Sequence, residues 1–114
     1  MRRFEPRPAR LAFAEEEEIR RVQTQLLAEH LRYVADHSPF YREAWRAAGL
    51  SAADLEPERW TALPTTSKAE LEQRNDDFLA VPARQVADIV MSSGTTGIPT
   101  RIMYTEGDLD RLSY

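Results

Sequence analysis

The stretch VMSSGTTGIPTRIMY (residues 90–104) places hydroxyl residues and glycines between two apolar runs. These runs predict one β-strand containing Ile89–Met91 before the loop and a second containing Arg101–Tyr104 after it. Gly94 and Gly97 tolerate positive φ, so backbone N–H groups and nearby hydroxyls can converge on one point. Such a group of donors suits a polyphosphate, although a Ser/Thr/Gly run between strands is also typical of an ordinary turn.

The composition of the chain limits its class. It has 114 residues, near the usual size of one domain, with 42% hydrophobic and 30% charged residues, which is typical of a globular protein. There are 19 acidic and 15 basic residues. The resulting net charge of −4 argues against a nucleic-acid surface, which needs a basic stripe. The absence of cysteine excludes disulfides, thiol catalysis and Cys-based zinc sites.

The sequence also gives an expectation about location. No run approaches the ~18 apolar residues of a membrane helix. The basic start MRRFEPRPAR is followed only by LAF before EEEE, which is too short for the apolar core of a secretory signal. Together with the lack of cysteine, these features predict a cytoplasmic protein that binds neither membranes nor nucleic acids.

The chain divides into an N-terminal arm (residues 1–14), a helical region (15–88), and a strand, loop, strand and helix start (89–114). A helix is predicted from Glu15 to about Asp36, because apolar residues recur near the 3.6-residue period at Ile19, Val22, Leu26, Leu27, Leu31 and Val34. Pro39 ends this helix, and a shorter one is expected to close at Gly49 as a left-handed cap.

Local signals predict further helix starts and core positions. A hydroxyl residue followed three positions later by an acid is the reciprocal capping pattern, and it occurs at Ser51–Asp54, Ser67–Glu70 and Thr105–Asp108. The predicted core anchors are Phe40, Tyr41, Trp45, Trp60 and Leu63. The helix after Thr105 has barely one or two turns before the sequence stops at Tyr114. The stop is therefore interpreted as a truncation.

Several polar residues have an ordinary explanation. His30 and His37 lack acidic or cysteine partners at ligand spacing, so they are predicted to be surface or interface side chains rather than metal ligands. Lys68 follows a helix cap and is predicted to be exposed to solvent. No residues form a nucleophile–base pair. We therefore predict neither a catalytic residue nor a metal ligand in the chain.

The loop is not the common phosphate loop, in which four residues separate the glycines and a lysine and a hydroxyl residue follow. It resembles the phosphate-binding loop of the adenylate-forming ligases, where a Ser/Thr/Gly run joins two strands. The neighbouring stretches resemble the phenylacetate–CoA ligase branch of that superfamily: HSPFYRE (37–43), LPTTSKAEL (63–71), FLAVP (78–82) and YTEGDL (104–109). The resemblance runs from about Leu27 onward and leaves the N-terminal arm outside it. Because the family also has a lysine at the position of Lys68, the resemblance leaves a minor role open for this residue.

The resemblance implies an α+β fragment: a mainly helical N-terminal region, then a β-hairpin carrying the phosphate loop, as the N-terminal part of a larger α/β adenylate-forming ligase domain. The residues implied to hold the β- and γ-phosphates of ATP are Ser92, Ser93, Gly94, Thr95, Thr96 and Gly97. In the family, Mg²⁺ shares this task, and coenzyme A captures the acyl-adenylate made from ATP and a carboxylic acid. The full-length parent is thus expected to be an AMP-forming acyl- or aryl-CoA ligase.

The segment alone is not expected to be active. In the family, several parts of the active site lie downstream of this loop. They are the acidic residue that helps hold Mg²⁺, most of the adenine and acyl pockets, and a lysine of the C-terminal domain. An isolated two-stranded hairpin is marginal. We therefore expect missing ligase sequence, a partner chain or self-association to complete the fold. The acid that is activated is not encoded in these residues.

One residue departs from the family pattern. A lysine commonly follows the second glycine, where this chain has Ile98. Two interpretations follow. Backbone amides, hydroxyls and Mg²⁺ are enough to bind the phosphates without the lysine charge, or the site is degenerate and the protein binds something other than ATP. Arg101 is close in sequence and is a candidate to supply the positive charge that Ile98 lacks. In a strand, however, its side chain can equally point to solvent. The alternative function is a non-catalytic helical interaction module or a split subunit with a degenerate ATP loop. Ligases that pass the adenylate to a protein or another cofactor are the nearest competitors.

Overall fold

The computed structural model describes residues 9–92, 97 and 99–113, which form helices and one hairpin. The regular elements are α1 (Glu16–His37), α2 (Pro39–Ala47), α3 (Lys68–Gln73), β1 (Val86–Ser92), β2 (Thr100–Thr105) and α4 (Glu106–Leu112). Short 3₁₀ turns lie at Ala9–Phe13, Ala52–Asp54, Pro57–Ala62, Asn75–Phe78 and Ala83–Gln85. The fold is mostly helical with a two-stranded antiparallel hairpin, as the sequence predicted. Among the described helices, none combines the length and the apolar character needed to cross a bilayer.

Helix α1 begins and ends within one residue of its predicted limits. Val22 and Leu31 on its apolar stripe are buried, and Leu27 and Val34 pack partly buried against the core. Leu26 is 43% exposed, so the buried stripe is narrower than the predicted one. The helix is therefore held by a few large contacts on one face, while the opposite face is solvated.

The junction of α1 and α2 follows from one serine and one proline. Ser38 has an extended backbone (φ −91°, ψ 116°), because Pro39 disfavours a helical conformation in the preceding residue. Its hydroxyl accepts a hydrogen bond from the Tyr41 amide (3.5 Å) and donates one to the Asp77 carbonyl (3.1 Å). Beyond the other end of α2, Gly49 has φ +73°, which confirms the predicted left-handed cap.

The core lies between α1, α2 and the turns that follow them. Its buried centre consists of Leu31, Trp45 and Leu55. Leu63 packs partly buried against this centre, as predicted. The prediction for Trp60 is wrong, because this residue is 57% exposed. Trp60 belongs to the 3₁₀ turn Pro57–Ala62, which places it on an open groove beside α1, while Trp45 and Leu55 already fill the core.

An aromatic cluster joins α2 to the 3₁₀ turn Asn75–Phe78. Phe40 is buried, and its ring stacks on that of Phe78 with centroids 3.9 Å apart and planes at 19°. The ring of Tyr41 meets both at its edge, at 5.3 Å and 5.5 Å. The predicted core roles of Phe40 and Trp45 are confirmed, whereas Tyr41 is only partly buried.

All three predicted reciprocal caps form, at Ser51–Asp54, Ser67–Glu70 and Thr105–Asp108. Those at Ser67 and Thr105 open α-helices. The one at Ser51 opens only a three-residue 3₁₀ turn, which is shorter than the predicted helix. Two residues further on, Glu56 is extended (φ −92°, ψ 145°) and Pro57 has no amide to continue a helical ladder.

Strands β1 and β2 pair antiparallel, with a bulge between Val86 and Asp88. Both predicted strands are confirmed. β2 extends one residue beyond the predicted Arg101–Tyr104 at each end, and β1 begins at Val86, within the stretch 15–88 that was assigned to the helical region. Apolar side chains in the middle of β1 remain about half exposed: Ile89, Val90 and Met91. The hairpin therefore carries strand-forming side chains that the described part of the chain does not fully cover.

Candidate nucleotide-binding loop

The hairpin closes on the pair Ser92 and Thr100, which are the last partners in the β ladder. The connection between them is residues 93–99. The two strands therefore bring the ends of the Ser/Thr/Gly run together, which is the arrangement that the sequence predicted for this stretch. Both closing residues carry hydroxyl groups, and they were predicted to lie in the loop rather than in the strands.

The structure describes two of the six predicted phosphate-binding residues. Ser92 is the final residue of β1 and is exposed, and Gly97 is also exposed. The other four, Ser93, Gly94, Thr95 and Thr96, lie outside the described residues, as does Ile98.

Gly97 explains why one position of the loop needs glycine. Its φ is +80°, in the left-handed region that favours glycine. A Cβ built there would meet no atom of the described residues within 4 Å. The requirement is thus conformational rather than a matter of space: at Gly97 the chain turns in a way that other residues adopt only with strain.

Thr100 marks the point where the loop re-enters the sheet. It is 4% exposed, whereas its partner Ser92 is exposed. Its Oγ1 is buried and has no hydrogen-bond partner among the residues that the structure describes. Burying a hydroxyl without a hydrogen-bond partner costs folding free energy. At the base of the loop, the Thr100 hydroxyl is therefore a polar group whose hydrogen bonds the described part of the chain does not provide.

Arg101, which follows Thr100, is fixed by the turn Asn75–Phe78. The Asn75 carboxamide accepts from the Arg101 backbone N–H at 3.2 Å, and its Nδ2 donates to the Arg101 carbonyl at 3.0 Å. The guanidinium donates from Nε to Asn75 (3.2 Å) and from Nη2 to Asp76 (2.6 Å). Arg101 therefore neither points freely to solvent nor has an unengaged charge to offer in place of a lysine at Ile98.

The same turn is tied to the helical body from its other side. Arg74 forms ion pairs with Glu43 (2.7 Å) and Asp77 (2.8 Å), and its guanidinium lies 5.3 Å from the centroid of the Phe40 ring. Hydrogen bonds to Glu43 and then Asp77 raise the pKa of Arg74, because both stabilise its charged form. A continuous set of contacts thus runs from α2 to the outgoing strand of the loop.

The remaining polar candidates lie where the sequence predicted. Lys68 is exposed and lies 3.5 Å from Glu72 in an ion pair along α3. His30 is exposed; the His37 ring stacks on Tyr33 at 4.2 Å, with its Nδ1 2.8 Å from the Tyr33 carbonyl. Within residues 9–92, 97 and 99–113, no group of three or more histidine and carboxylate side chains is arranged to hold a metal ion.

Sequence reasoning missed Asn75. It is the one asparagine in the chain, and it acts on a residue 26 positions away. No periodicity or capping pattern marks such a contact. Its only local signal is the polar run NDDF directly before the apolar stretch LAVP, which indicates a turn but not what the turn touches.

Comparison with known proteins identifies relatives that match most of the chain. No protein-family model matches the chain. The phenylacetate-coenzyme A ligase of Escherichia coli (strain K12) is 38% identical over 96 residues, which are 82% of this chain and 22% of that protein. The enzyme of the same name from Aromatoleum evansii is 36% identical over 99 residues, or 85% of this chain and 22% of that protein. The chain thus spans about a fifth of the length of the curated relatives it matches.

Solved structures agree with the sequence relatives. A 2-hydroxyisobutyryl-CoA ligase in complex with 2-HIB-AMP and CoA aligns with a TM-score of 0.75 and 26% identity, over 95% of this chain and 26% of that one. The same ligase in the postadenylation state, with 2-HIB-AMP, aligns with a TM-score of 0.74 over 92% of this chain and 24% of that one. At 23% identity, this second match bears on the fold alone. The chain belongs to the adenylate-forming ligases and corresponds to one segment of the phenylacetate–CoA ligases.

Proposed function

We propose that this chain supplies the phosphate-binding loop, and the helical body that supports it, to an AMP-forming carboxylate–CoA ligase. The substrates would be ATP, a carboxylic acid and coenzyme A. The loop residues assigned to the β- and γ-phosphates of ATP are Ser92, Ser93, Gly94, Thr95, Thr96 and Gly97. By itself the chain would bind nucleotide without catalysing the reaction.

One observation carries the proposal: a donor-rich connection joins the two strands of a hairpin in a chain that is 38% identical to a phenylacetate-coenzyme A ligase. The structural relative of 26% identity was solved with an acyl-adenylate and CoA. Gly97 is left-handed, and Ser92 and Thr100 pair where the connection leaves and re-enters the sheet. These features support phosphate binding over an ordinary turn.

The chemistry explains why such a loop is useful. A carboxylate oxygen attacks the α-phosphorus of ATP, the bond from that phosphorus to the bridging oxygen breaks, and pyrophosphate leaves with the electron pair. The thiol of coenzyme A then attacks the acyl carbon and AMP leaves. Negative charge builds on the departing pyrophosphate, so N–H and O–H donors directed at it stabilise the transition state.

Mg²⁺ is expected to accompany the nucleotide. The described part of the chain has no cluster of three acidic or histidine ligands, and we therefore assign it no metal ligand and no step that depends on one. What the chain contributes is neutral donors from backbone and hydroxyl groups, which is a recurring way to bind phosphate.

The catalytic unit would need further ligase sequence, in the same polypeptide or in a partner chain. The apolar middle of β1 supports this part of the proposal, because Ile89, Val90 and Met91 are 47%, 49% and 58% exposed. Two-stranded hairpins gain independent stability by packing against more sheet or a helix. Self-association through the same strand is the competing arrangement, and sedimentation of the purified chain distinguishes a monomer from it.

A binding experiment tests the loop directly. The ¹⁵N-labelled chain is titrated with MgATP, with magnesium pyrophosphate and with AMP while its amide resonances are followed. Because the proposed contacts are to the β- and γ-phosphates, ATP and pyrophosphate should shift the amides of residues 92–97, and AMP should not. Shifts with AMP alone, or no shift with any of the three, would contradict the proposal.

The reaction itself is tested once the rest of the ligase is supplied, either in the same polypeptide or as a second chain. ATP–pyrophosphate exchange is measured with a panel of aryl and short-chain acids. We expect exchange that depends on one class of acid and a CoA thioester as the final product. Exchange without thioester formation would favour a relative that passes its adenylate to another acceptor.

A further inference from the structure

We infer that Asn75 is a positioning residue for the phosphate-binding loop. Its carboxamide takes the place of a third β-strand at the position where the loop re-enters the sheet. This inference rests on the proposed function, because it concerns how the loop is held for nucleotide. It goes beyond that function by naming a residue outside the loop that sets the loop's geometry.

The hydrogen bonds show how Asn75 imitates a strand. A carboxamide has the same N–H donor and C=O acceptor as a peptide group, and Asn75 uses them on the carbonyl (3.0 Å) and amide (3.2 Å) of Arg101. A neighbouring strand would satisfy the same two groups. Since both groups face Asn75, the pair Met91–Arg101 is a non-hydrogen-bonded pair of the β1–β2 ladder.

The location of this contact gives it a consequence for the loop. Arg101 directly follows Thr100, which closes the hairpin opposite Ser92. On its inner edge β2 is held by β1, and on its outer edge at Arg101 it is held by Asn75. The strand that receives the end of the loop is therefore held from both sides at Arg101, next to the closing residue Thr100. A fixed anchor at this point favours one position of the bound phosphates.

Asn75 is itself held in place, so that it can act as an anchor. The turn that begins with it is fixed to α2 by the Phe40–Phe78 stack at 3.9 Å, by the Arg74–Glu43 ion pair at 2.7 Å and by the Ser38 hydroxyl on the Asp77 carbonyl. The helical body thereby fixes the outgoing strand of the loop at Arg101.

Two neighbouring substitutions distinguish the effect of the Asn75 carboxamide from the effect of the Arg101–Asp76 ion pair. Asn75→Ala removes both backbone contacts of Arg101. Asp76→Ala is the matched control, because it removes the other partner of the Arg101 guanidinium and leaves the backbone contacts intact; Asp76 is exposed. Asn75→Asp keeps an acceptor for the Arg101 amide but removes the donor to its carbonyl.

The first measurement is hydrogen exchange of the Arg101 amide, with the Ile102 amide as the internal control because Ile102 lies opposite Val90 in the ladder. We expect Asn75→Ala to speed exchange at Arg101 by about tenfold or more and to leave Ile102 nearly unchanged. Asn75→Asp should restore most of the protection. Selective ¹⁵N-asparagine labelling reports the side chain itself, since Asn75 is the one asparagine.

The second measurement is affinity for MgATP and for magnesium pyrophosphate. Asn75→Ala should weaken both by about tenfold, with an unchanged helical circular dichroism spectrum. Asp76→Ala should change them by less than about twofold, because exposed ion pairs contribute little. A purely structural asparagine would alter exchange and melting but not the affinity of a protein that remains folded.

The outcomes are distinct. If the unaltered chain binds MgATP and Asn75→Ala binds it equally well, the positioning role is refuted while the proposed function stands. An equal loss in Asp76→Ala would assign the effect to the ion pair and also refute it. If the unaltered, folded chain binds neither MgATP nor pyrophosphate, the proposed function fails and the positioning role fails with it, even where the Arg101 amide is protected.

Discussion

The rings of Phe40 and Phe78 stack 3.9 Å apart and fasten the turn Asn75–Phe78 to helix α2. Phe40 is 5% exposed, so its ring is shared by the helical core and by the support of the loop. Aromatic pairs in offset or stacked contact add to the stabilisation from burial alone. The stack is therefore an apolar link between α2 and the turn that holds Arg101.

Phe40→Ala is expected to lower the free energy of unfolding by about 3 kcal/mol, because it removes a buried ring and leaves a cavity. Trp60→Ala is the control, with an expected loss below about 1 kcal/mol, since Trp60 is largely exposed. Urea denaturation followed by circular dichroism gives both values. If Phe40→Ala does not fold, Phe40→Leu provides the smaller, measurable loss. Equal losses at the two positions would contradict the assignment of the core.

Two glycines allow a matched test of the loop conformation. Gly49 and Gly97 have similar positive φ values, +73° and +80°, and within the part of the chain that the structure describes a Cβ at either would meet no atom within 4 Å. Alanine at either position therefore carries a similar backbone strain, about 1–2 kcal/mol. Only Gly97→Ala should weaken MgATP binding, as measured by titration of the labelled chain. Weaker binding by Gly49→Ala as well would mean that the effect is general destabilisation.

Acid should weaken the cap of α3. Hydrogen bonds from the Ser67 backbone amide and then from its hydroxyl lower the pKa of Glu70 below its ordinary value of 4.5. Because the folded-state pKa is below the unfolded-state pKa, Glu70 stabilises the fold above pH 4.5, and this contribution is lost as the pH falls through the folded-state value.

Denaturation midpoints measured over the acidic range test this sign. Glu70→Gln should give a shallower loss of stability below pH 4.5 than the unaltered chain. Glu58→Gln, at an exposed position, is the control for removal of one carboxylate. Its stability should fall with pH as steeply as that of the unaltered chain. The Ser51–Asp54 cap predicts a second contribution of the same sign, since the Ser51 amide and hydroxyl lower the pKa of Asp54. An unchanged slope in Glu70→Gln would refute the assignment.

Ile98→Lys should strengthen nucleotide binding. The family resemblance implies a lysine at this position, and the Arg101 guanidinium is already bound to Asn75 and Asp76. A charge-assisted contact to phosphate would tighten MgATP binding by about tenfold and make it weaken more steeply with salt. Ala52→Lys adds the same charge on an exposed turn and should not change the affinity. No gain in Ile98→Lys would indicate that this position does not face the phosphates.

The sequence alone was sufficient for the local structure. The period of the apolar residues in α1, the break at Pro39, the left-handed cap at Gly49 and the three reciprocal caps were all predicted and are all present. Each depends on interactions between residues at most a few positions apart. The two strands were also predicted by type, although β2 extends one residue beyond its predicted limits at each end.

Tertiary structure decided which residues are buried and what supports the loop. Trp60 and Trp45 are equally good core anchors by residue type, yet only Trp45 reaches the space between the helices. Asn75 and Arg101 are 26 positions apart, and nothing in either local sequence predicts their contact. The reason is physical: capping and periodicity are set within one or two helical turns, whereas burial and long-range hydrogen bonds depend on where the whole chain brings its elements together.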